Sequence, residues 1–332
     1  MILVTGGTGL VGANLLLELV KKKKKLRAIY RSDEQIQKVK QFFTYKEPGE
    51  SHLFKQIEWV RSDLNDLFTL ELAFDQITHV YHCAAKVSFA DFHNEKMFKT
   101  NVEGTANIVN LALKHQVKKL VYVSSIAALG ADKNKDWVNE EESWDSGKEH
   151  TGYARSKYGA ELEIWRGAQE GLPVVIVNPG VVLGGFFWDR SSSTLFSKVA
   201  KGLRFYPTGM TGVVDVNDVV KCLLLLMGST LQNERFILVA ENLKMKELLT
   251  KMATELGNPP PSIALRKGGL NALYFIEKLI SFLGLRKPFL SRAFIESLCG
   301  NQKFDGTKIS QFGFSYTPLD QTIKSIAKQY HF

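Results

Sequence analysis

The first half of the chain alternates short apolar segments, rich in β-branched residues, with longer segments of helical spacing. The short segments predict strands at Ile2–Thr5, Leu26–Tyr30, Ile57–Arg61, His79–His82, Leu120–Ser124 and Val174–Val177. Between them, Leu10–Val20, Met97–His115 and Tyr153–Ala168 predict helices. Strands that alternate with helices form parallel sheets whose connections are right-handed. We therefore predict an α/β fold with a doubly wound parallel sheet.

The alternation is lost after Gly185. A loop-and-helix stretch rich in aromatic residues follows, and strand–helix–strand character returns at 213–240. Asn258-Pro-Pro-Pro261 marks a break before an apolar helix near Leu270–Leu283. We predict a sheet domain over 1–185, rejoined by about 212–240, and a smaller, interleaved, mostly helical substrate-binding domain formed by 186–211 and 241–332. The length of 332 residues is sufficient for both.

Composition and charge exclude several classes of protein. Apolar residues make up 45% of the chain and charged residues 23%, which is typical of globular proteins and not of disordered, collagen-like or disulfide-dense chains. The net charge is +9, but five of the lysines form one run, Lys21–Lys25, directly after the first predicted helix. A cationic run is favourable at the C-terminal end of a helix dipole. We therefore expect no nucleic-acid partner.

The three cysteines and the apolar segments bear on the compartment. Cys83, Cys222 and Cys299 are widely spaced and form no Cys-x-x-Cys, so we expect no disulfide framework, no metal site and a cytoplasmic location. The N-terminus lacks the basic region of a signal peptide, and no 18-residue apolar stretch predicts a spanning helix. Leu270–Leu285 is flanked by basic pairs, as an interfacial helix is. Its length favours instead a buried helix of the second domain.

A glycine-rich turn follows the first predicted strand and opens the first helix. Gly6, Gly9 and Gly12 have the Rossmann spacing, in which one glycine permits the turn, one lets a pyrophosphate approach the backbone, and one lets helix and strand pack closely. The helix N-terminus adds free N–H groups and the positive end of a dipole. A turn that needs glycine only for geometry is the alternative, but the context favours a dinucleotide site. No Gly-Lys-Ser/Thr follows, which excludes a P-loop.

Two residues at strand ends bear on the choice of cofactor. Arg31 ends the second strand, where the ribose 2′ position is recognised, and a guanidinium there can pair with a 2′-phosphate. NADP(H) is therefore favoured, while Asp33 keeps NAD(H) open. Asp63 follows the third strand. It either accepts a hydrogen bond from an adenine amino group or, with Asn65, caps the next helix, and the two interpretations carry equal weight.

A tyrosine, a lysine and a serine form the candidate catalytic set. Tyr153 and Lys157 are four residues apart and share one face of a predicted helix. A cation beside a phenol lowers its pKa from about 10, which makes the phenol a usable proton donor and acceptor. Ser124 and Ser125 end a buried strand at the ligand-binding edge of the sheet, where a hydroxyl can bind a substrate carbonyl. Serines in that position more commonly only turn the chain.

In order and separation, these motifs resemble those of the extended short-chain dehydrogenase/reductases, in the dihydroflavonol-reductase-like branch that is grouped with NAD-dependent epimerases and dehydratases. The resemblance covers nearly the whole chain. Further segments that carry it are His82-Cys83-Ala84-Ala85, Asn101-Val102-Glu103-Gly104-Thr105, Asn178-Pro179-Gly180 and Asp215–Val219. Many relatives have Asn-Ala-Ala-Gly at the first of these segments, so the backbone contact that the glycine allows is altered here.

The resemblance implies roles for matching residues. Tyr153 would be the acid/base, Ser125 would bind the carbonyl, and Lys157 would hold the nicotinamide ribose and lower the pKa of Tyr153. Asn101 would support a water near Lys157. The cofactor would contact Thr5, Gly6, Thr8, Gly9, Leu10, Val11, Gly12, Arg31, Asp63, Leu64, Ala84, Ala85, Lys86, Tyr153, Lys157, Pro179, Gly180 and Val181. Members of the family are often dimers through paired helices, and the candidate interfaces of a dimer here would be Met97–His115 and Tyr153–Ala168.

The expected activity is reduction of an apolar or aromatic ketone or aldehyde by hydride transfer. Val87, Phe186 and Phe187 are the expected substrate contacts, besides Ser125, although aromatic side chains of this segment also suit the core of the second domain. A dehydratase is excluded, because Ile126 and Ala127 stand where it carries acidic residues.

Two alternatives remain open. The first is a nucleotide-sugar epimerase. Arg31 argues against it, and its diphosphate site would draw on Arg190, Arg204, Arg266 or Arg292. The second is a non-catalytic dinucleotide sensor or scaffold, against which the intact Ser125, Tyr153 and Lys157 argue.

Overall fold

The computed structural model describes residues 1–88, 94–130, 136–189, 192–282 and 290–330. Its strands are β1 (Ile2–Thr5), β2 (Leu26–Tyr30), β3 (Ile57–Arg61), β4 (His79–His82), β5 (Lys119–Val123), β6 (Trp137–Val138), β7 (Val174–Pro179), β8 (Val181–Leu183), β9 (Phe205–Pro207), β10 (Met210–Asp215), β11 (Glu234–Leu238), β12 (Glu241–Lys244), β13 (Ile263–Leu265) and β14 (Lys303–Phe304). Its helices are α1 (Leu10–Lys21), α2 (Asp33–Lys46), α3 (His52–Lys55), α4 (Leu67–Ala73), α5 (Asn94–Phe98), α6 (Gly104–Lys114), α7 (Gly152–Gln169), α8 (Ser193–Ala200), α9 (Val216–Gly228), α10 (Met245–Glu255), α11 (Lys267–Phe282), α12 (Arg292–Cys299) and α13 (Leu319–Tyr330).

The central sheet has seven strands in the order β3-β2-β1-β4-β5-β7-β11, and every pair is parallel. Strands such as β5 and β7 are buried along their whole length, which is why their sequences are apolar without alternation. The strand order reverses between β1 and β4. Ligands bind outside the carboxyl ends of the strands at such a reversal.

Helices cover both faces of this sheet. The helices α1, α2 and α9 form one apolar layer against it, with Leu16, Phe42 and Leu223 fully buried. The helices α4, α6 and α7 form the other layer, with Ile108 and Ile164 fully buried. Two helical layers on one parallel sheet confirm the predicted Rossmann-type α/β fold.

The second half of the chain adds small sheets and a separate core. The strands β12, β10 and β8 form one small sheet, and β13 pairs with β9. Side chains of α8, α10 and α13 form the core beside them, including Phe196, Leu248 and Ile323. The strand β11 rejoins the central sheet next to β7, while β10 does not. The domain boundaries near 185, 212 and 240 stay a prediction.

The region expected as one helix over Met97–His115 has three parts. Residues Lys99–Glu103 form a π-helical turn between α5 and α6. Such turns are rare and are frequent at functional sites. This turn contains the buried Asn101. The expected dimer, for which this segment and α7 were the candidate interfaces, stays a prediction.

The apolar helix expected after the prolines is α11, and its interpretation as a buried helix is wrong for the residues described. Leu270 is buried, but Leu273, Phe275 and Ile276 are 46%, 60% and 55% exposed. The end of the expected segment, with Leu285 and its basic pair, lies outside the described residues. Among the described helices, none is long and apolar enough to cross a membrane.

Candidate functional site

The glycine-rich turn has the geometry of a phosphate-binding loop. Gly6 has a φ of +69°, and a Cβ there would lie 2.6 Å from the backbone N of Ala84. A Cβ at Gly12 would lie 2.2 Å from the carbonyl O of Gly6. Both positions therefore need glycine for the fold itself. At Gly9, in contrast, a Cβ would meet only the Gly6 carbonyl, at 3.4 Å. The space over Gly9 is thus open for a ligand.

The start of α1 offers hydrogen-bond donors to that open space. Gly9 is the N-cap residue, and within the described chain no side chain caps the helix and no acid lies in its first turn. The backbone N–H groups of Leu10 and Val11 are therefore available to an acceptor outside the helix. Unsatisfied donors at the positive end of a helix dipole bind phosphate. The turn and the helix end together fit the pyrophosphate of a dinucleotide.

Arg31 and Asp63 lie side by side at the carboxyl ends of β2 and β3. The Arg31 guanidinium is 3.7 Å from the Asp63 carboxylate, and both side chains are largely exposed. Asp63 does not cap the next helix, so that interpretation is wrong. Its Oδ1 accepts a hydrogen bond from the N–H of Asn65, and Asp66 caps α4 by accepting from the N–H of Thr69. The second Asp63 oxygen faces Arg31, which leaves the pair at the position expected for the adenosine end of a cofactor.

Ser125 and Tyr153 meet at the carboxyl edge of β5. Ser125 follows that strand and begins a short 3₁₀ turn, in which its Oγ accepts from the N–H of Ala127 at 3.2 Å. Thr151 caps α7, so Tyr153 lies in the first turn of that helix. The Ser125 hydroxyl lies close enough to the Tyr153 phenol to affect its pKa. Burial raises the pKa of Tyr153, and the contact with Ser125 opposes that rise.

Lys157 lies one helical turn after Tyr153, and its ammonium is held from the sheet. Its Nζ donates to the phenol oxygen of Tyr122 at 2.6 Å and to the carbonyl of Val123 at 2.9 Å. Burial lowers the pKa of Lys157 to about 7. The expected lowering of the Tyr153 pKa by Lys157 is therefore not what the structure gives. Burial of the phenol dominates, and the ammonium is engaged by Tyr122 and Val123 instead.

A buried carboxylate, Glu161, lies one further turn along α7. Its Oε1 accepts from the side-chain amide of Asn178 at 2.5 Å, and its Oε2 is 3.4 Å from the Arg235 guanidinium. Burial raises the pKa of Glu161. The same Asn178 amide also donates to the carbonyl of Ser125 at 3.0 Å. Glu161 therefore supports Ser125 through Asn178 and also provides negative charge near Lys157.

Asn101 ties the π-helical turn to the loop after β4. Its side chain accepts from the N–H of Lys86 at 2.7 Å and donates to the carbonyl of Lys86 and to the hydroxyl of Ser156. Asn101 thus holds Lys86 beside α7, and its expected support of a water near Lys157 stays a prediction. The neighbouring Val87 is 49% exposed. This placement is consistent with contacts to a ligand above the edge of the sheet.

His82, the last residue of β4, is hydrogen-bonded to the hydroxyls of two threonines. Its Nδ1 lies 2.6 Å from the hydroxyl of Thr5, and its Nε2 lies 3.0 Å from that of Thr105. Thr105 donates its proton to the carbonyl of Asn101, so it must accept from Nε2–H, and Thr5 must donate to Nδ1. Burial lowers the pKa of His82 to about 3, which keeps the ring neutral as this assignment requires.

Sequence reasoning missed Tyr122, Glu161 and the role of His82. Each is a polar residue in an otherwise apolar strand or on the inner face of a helix, and each is fully or almost fully buried. Buried polar groups require partners, so this pattern was the available signal. It does not say which partner is used, because the partners come from other strands.

The expected cofactor contacts Pro179, Gly180 and Val181 lie at the sheet edge, whereas the aromatic residues that follow them pack on α2. Gly180 joins β7 to β8, and a Cβ there would lie 2.4 Å from the carbonyl of Gly212, so Pro179, Gly180 and Val181 form a tight turn at the same sheet edge. Phe187 is fully buried, which corrects its expected substrate contact, whereas Phe186 is half-buried and its substrate contact stays a prediction. Both rings pack on Phe42 of α2 with centroids 5.4 Å away, because burial among aromatic rings in the core is favourable.

The arginines considered for a diphosphate site are spread over the second half of the chain. Arg204 precedes β9, Arg266 precedes α11 and Arg292 begins α12, and all three side chains are exposed. Arg190 lies outside the described residues. The described residues also contain no group of side chains that could hold a metal ion.

Comparisons with known proteins agree with this site. A family model described as male sterility protein, an NAD-binding family, matches residues 4–235. A putative dihydroflavonol 4-reductase of Synechocystis is 30% identical, over 96% of this chain and 91% of that protein. Sterol demethylase protein B of Methylococcus capsulatus is 28% identical, over 79% and 76%. A nucleoside-diphosphate-sugar epimerase structure from Pseudomonas aeruginosa has a TM-score of 0.77 at 24% identity and covers 99% of this chain and 97% of that one, a likeness that shows the fold alone.

Proposed function

The chain belongs to the extended short-chain dehydrogenase/reductase family and is an NAD(P)-dependent oxidoreductase, and on this premise we propose that it uses NADP(H) to reduce the carbonyl group of an apolar ketone or aldehyde. The observation that carries the proposal is the placement of the Tyr153 phenol beside Ser125 at the carboxyl end of β5. It lies at the sheet edge that also carries the glycine-rich turn, with Lys157 one helical turn away.

The residues have distinct tasks in the reaction, which adds a hydride to the carbonyl carbon and a proton to its oxygen. A reduced nicotinamide supplies the hydride when it is bound. Ser125 donates a hydrogen bond to the carbonyl oxygen and so stabilises the negative charge that develops there. Tyr153 donates the proton to the same oxygen. Lys157 carries positive charge one helical turn from Tyr153 below a pH of about 7, and its proposed task is to hold the nicotinamide ribose.

Arg31 supports the choice of NADP(H). Its guanidinium is 57% exposed, and its ion pair with Asp63 spans 3.7 Å. Exposed pairs of this kind contribute only about 0–1 kcal/mol, so Asp63 competes weakly with a phosphate for Arg31. A charge-assisted, bidentate contact with a 2′-phosphate is stronger.

The preference is tested by thermal unfolding with each cofactor, because a ligand that binds the folded state raises the Tm. We expect a larger rise with NADP(H) than with NAD(H), and loss of that difference in Arg31→Ala. An equal or larger rise with NAD(H) in the wild type would contradict the choice.

The exposed Val87 on the loop after β4 and the names of two relatives support an apolar substrate. The relatives named as a dihydroflavonol reductase and a sterol demethylase protein have names that refer to largely apolar ring systems. We therefore place aromatic and steroid-like carbonyls first among the substrates to test.

Turnover is measured as NADPH oxidation with aromatic aldehydes, aryl ketones and steroid-like ketones. We expect activity with part of this set, and we expect Tyr153→Phe to lose it by at least about 100-fold, as loss of a general acid does. Background rates throughout, or full activity of Tyr153→Phe, would overturn the proposal. A purified chain that carries bound NAD and interconverts nucleotide sugars would favour the epimerase alternative.

A further inference from the structure

We propose that α11 docks this protein on the surface of an anionic lipid bilayer. The contact surface is the outer face of α11, which we define as Gly268, Gly269, Ala272, Leu273, Phe275 and Ile276. All six residues are exposed. At about 100° per residue, Ala272 and Ile276 fall at the centre of this face, with Phe275 and Leu273 at its two edges.

A surface helix in a soluble protein turns its apolar side inward. Helix α11 buries Leu270 but leaves three large apolar side chains exposed, Leu273, Phe275 and Ile276. Here the polar and charged residues lie on the side toward the protein or at its border. Glu277 accepts a hydrogen bond from the N–H of Leu290, Lys267 pairs with Glu296, and Asn271 is half-buried. The large apolar side chains Phe275 and Ile276 point away from these partners. Such a face requires an apolar environment outside the protein.

The charge around this face fits an anionic surface. Over the described residues 266–282, the sequence contains three basic residues and one acid, Glu277. The exposed Arg266, Lys267 and Lys278 border the outer face, with the Lys278 ammonium 5.2 Å from the centroid of the Tyr274 ring. Counting Glu277, residues 266–282 have a formal net charge of +2. Basic residues at the border of an apolar helical face attract anionic headgroups.

The dimensions favour a bilayer over a second copy of the chain. The helix has 16 residues and is about 24 Å long, which suits a helix lying in the interface plane. A stable protein interface uses about 20–30 residues on each side. The outer face offers six, of which two are glycines. The apolar surface continues instead through Ile263 and Phe205 on the adjacent strand pair, which would lie next to the same bilayer.

The test is flotation of the 332-residue chain with extruded vesicles of phosphatidylcholine, with and without phosphatidylserine. We expect the chain to float with the anionic vesicles at low salt and to remain unbound with the neutral ones. Phe275→Ser/Ile276→Ser should abolish flotation. Lys278→Glu should weaken vesicle binding by at least about fivefold, the effect expected when one basic residue is lost from an anionic surface. The measurement needs no substrate, so its outcome is independent of the proposed function.

Leu67→Ser/Phe68→Ser is the matched control. These α4 residues are 55% and 76% exposed, on the dinucleotide-binding side of the molecule, and this variant should float like the wild type. All three variants change exposed residues, and circular dichroism establishes that each is folded. Absence of wild-type binding to anionic vesicles, or an equal loss in the α4 control, would overturn the proposal. So would self-association that depends on Phe275 and Ile276 while vesicle binding is absent.

Discussion

The Gly9→Ala variant distinguishes two interpretations of the glycine-rich turn. In one the turn binds a cofactor, and in the other it needs glycine only for its backbone geometry. Gly9 has φ −94° and ψ 174°, a conformation open to any residue, and a Cβ there meets only the Gly6 carbonyl at 3.4 Å. The Gly9→Ala variant should therefore fold normally. Alanine is a poorer N-cap residue than glycine, so we expect the free energy of unfolding to fall by no more than about 1 kcal/mol.

Cofactor binding should respond much more strongly. The added methyl occupies the space through which a pyrophosphate reaches the N–H groups of Leu10 and Val11. A charge-assisted hydrogen bond contributes about 1.5–3 kcal/mol. Loss or lengthening of one such bond raises the Kd by at least about tenfold, and loss of two by at least about 100-fold. We expect the Kd for NADPH to rise within or above this range.

The assay is fluorescence titration of NADPH, with urea unfolding of the same preparations. Gly12→Ala is the contrasting variant, because its Cβ would lie 2.2 Å from the Gly6 carbonyl and should reduce stability and binding together. A Gly9→Ala protein that is stable and binds NADPH like the wild type would refute the cofactor assignment of this turn. A Gly9→Ala protein that loses stability as Gly12→Ala does would refute the structural account of the loop.

Further predictions concern single contacts. Gly6 and Gly257 both have a φ of +69°, but only at Gly6 would a Cβ meet backbone atoms. In urea unfolding, Gly257→Ala should lower the free energy of unfolding by about 1–2 kcal/mol, and Gly6→Ala should lower it by about 1–3 kcal/mol more. Equal losses would contradict this difference. In Tyr122→Phe the Lys157 ammonium loses an acceptor, so its pKa should fall further below about 7. Activity that needs this cation is lost as the pH rises through that pKa, so the alkaline limb of the kcat/KM profile should move to lower pH, and an unmoved limb would exclude the contact. Asp66→Ala should lower the free energy of unfolding in urea by about 1 kcal/mol, because the α4 cap is lost. An unchanged stability would contradict the assignment of Asp66 as that cap.

The sheet was predictable because its signals are local. The bounds of β1 to β4 agree with the prediction, since each is a short apolar run that ends at a polar residue or a turn. The spacing of Gly6, Gly9 and Gly12 is likewise a local signal, because the turn is formed within these few residues. Tyr153 and Lys157 could be paired from their spacing on one helix, and the resemblance to the family joined Ser125 to them.

The rest depended on contacts between distant segments. The π-helical turn at Asn101 is fixed by the Lys86 backbone, 15 residues earlier, and no periodicity shows it. From the sequence, Phe186 and Phe187 could line a cleft or a core. Both rings pack on Phe42 of α2, which no local pattern shows. The acceptor for Lys157 is Tyr122, 35 residues away on the sheet. Helix α11 was expected to be buried from its length and apolarity, which say nothing about which side faces the protein.

The central claim is hydride transfer to a carbonyl carbon, and deuterium-labelled NADPH tests it most directly. A substrate identified by NADPH oxidation is reduced with the labelled cofactor, and the alcohol product is examined by mass spectrometry. The account predicts one deuterium on the carbinol carbon with the wild type and none above background with Tyr153→Phe. A product without label, or label transfer that is unchanged in Tyr153→Phe, would contradict it.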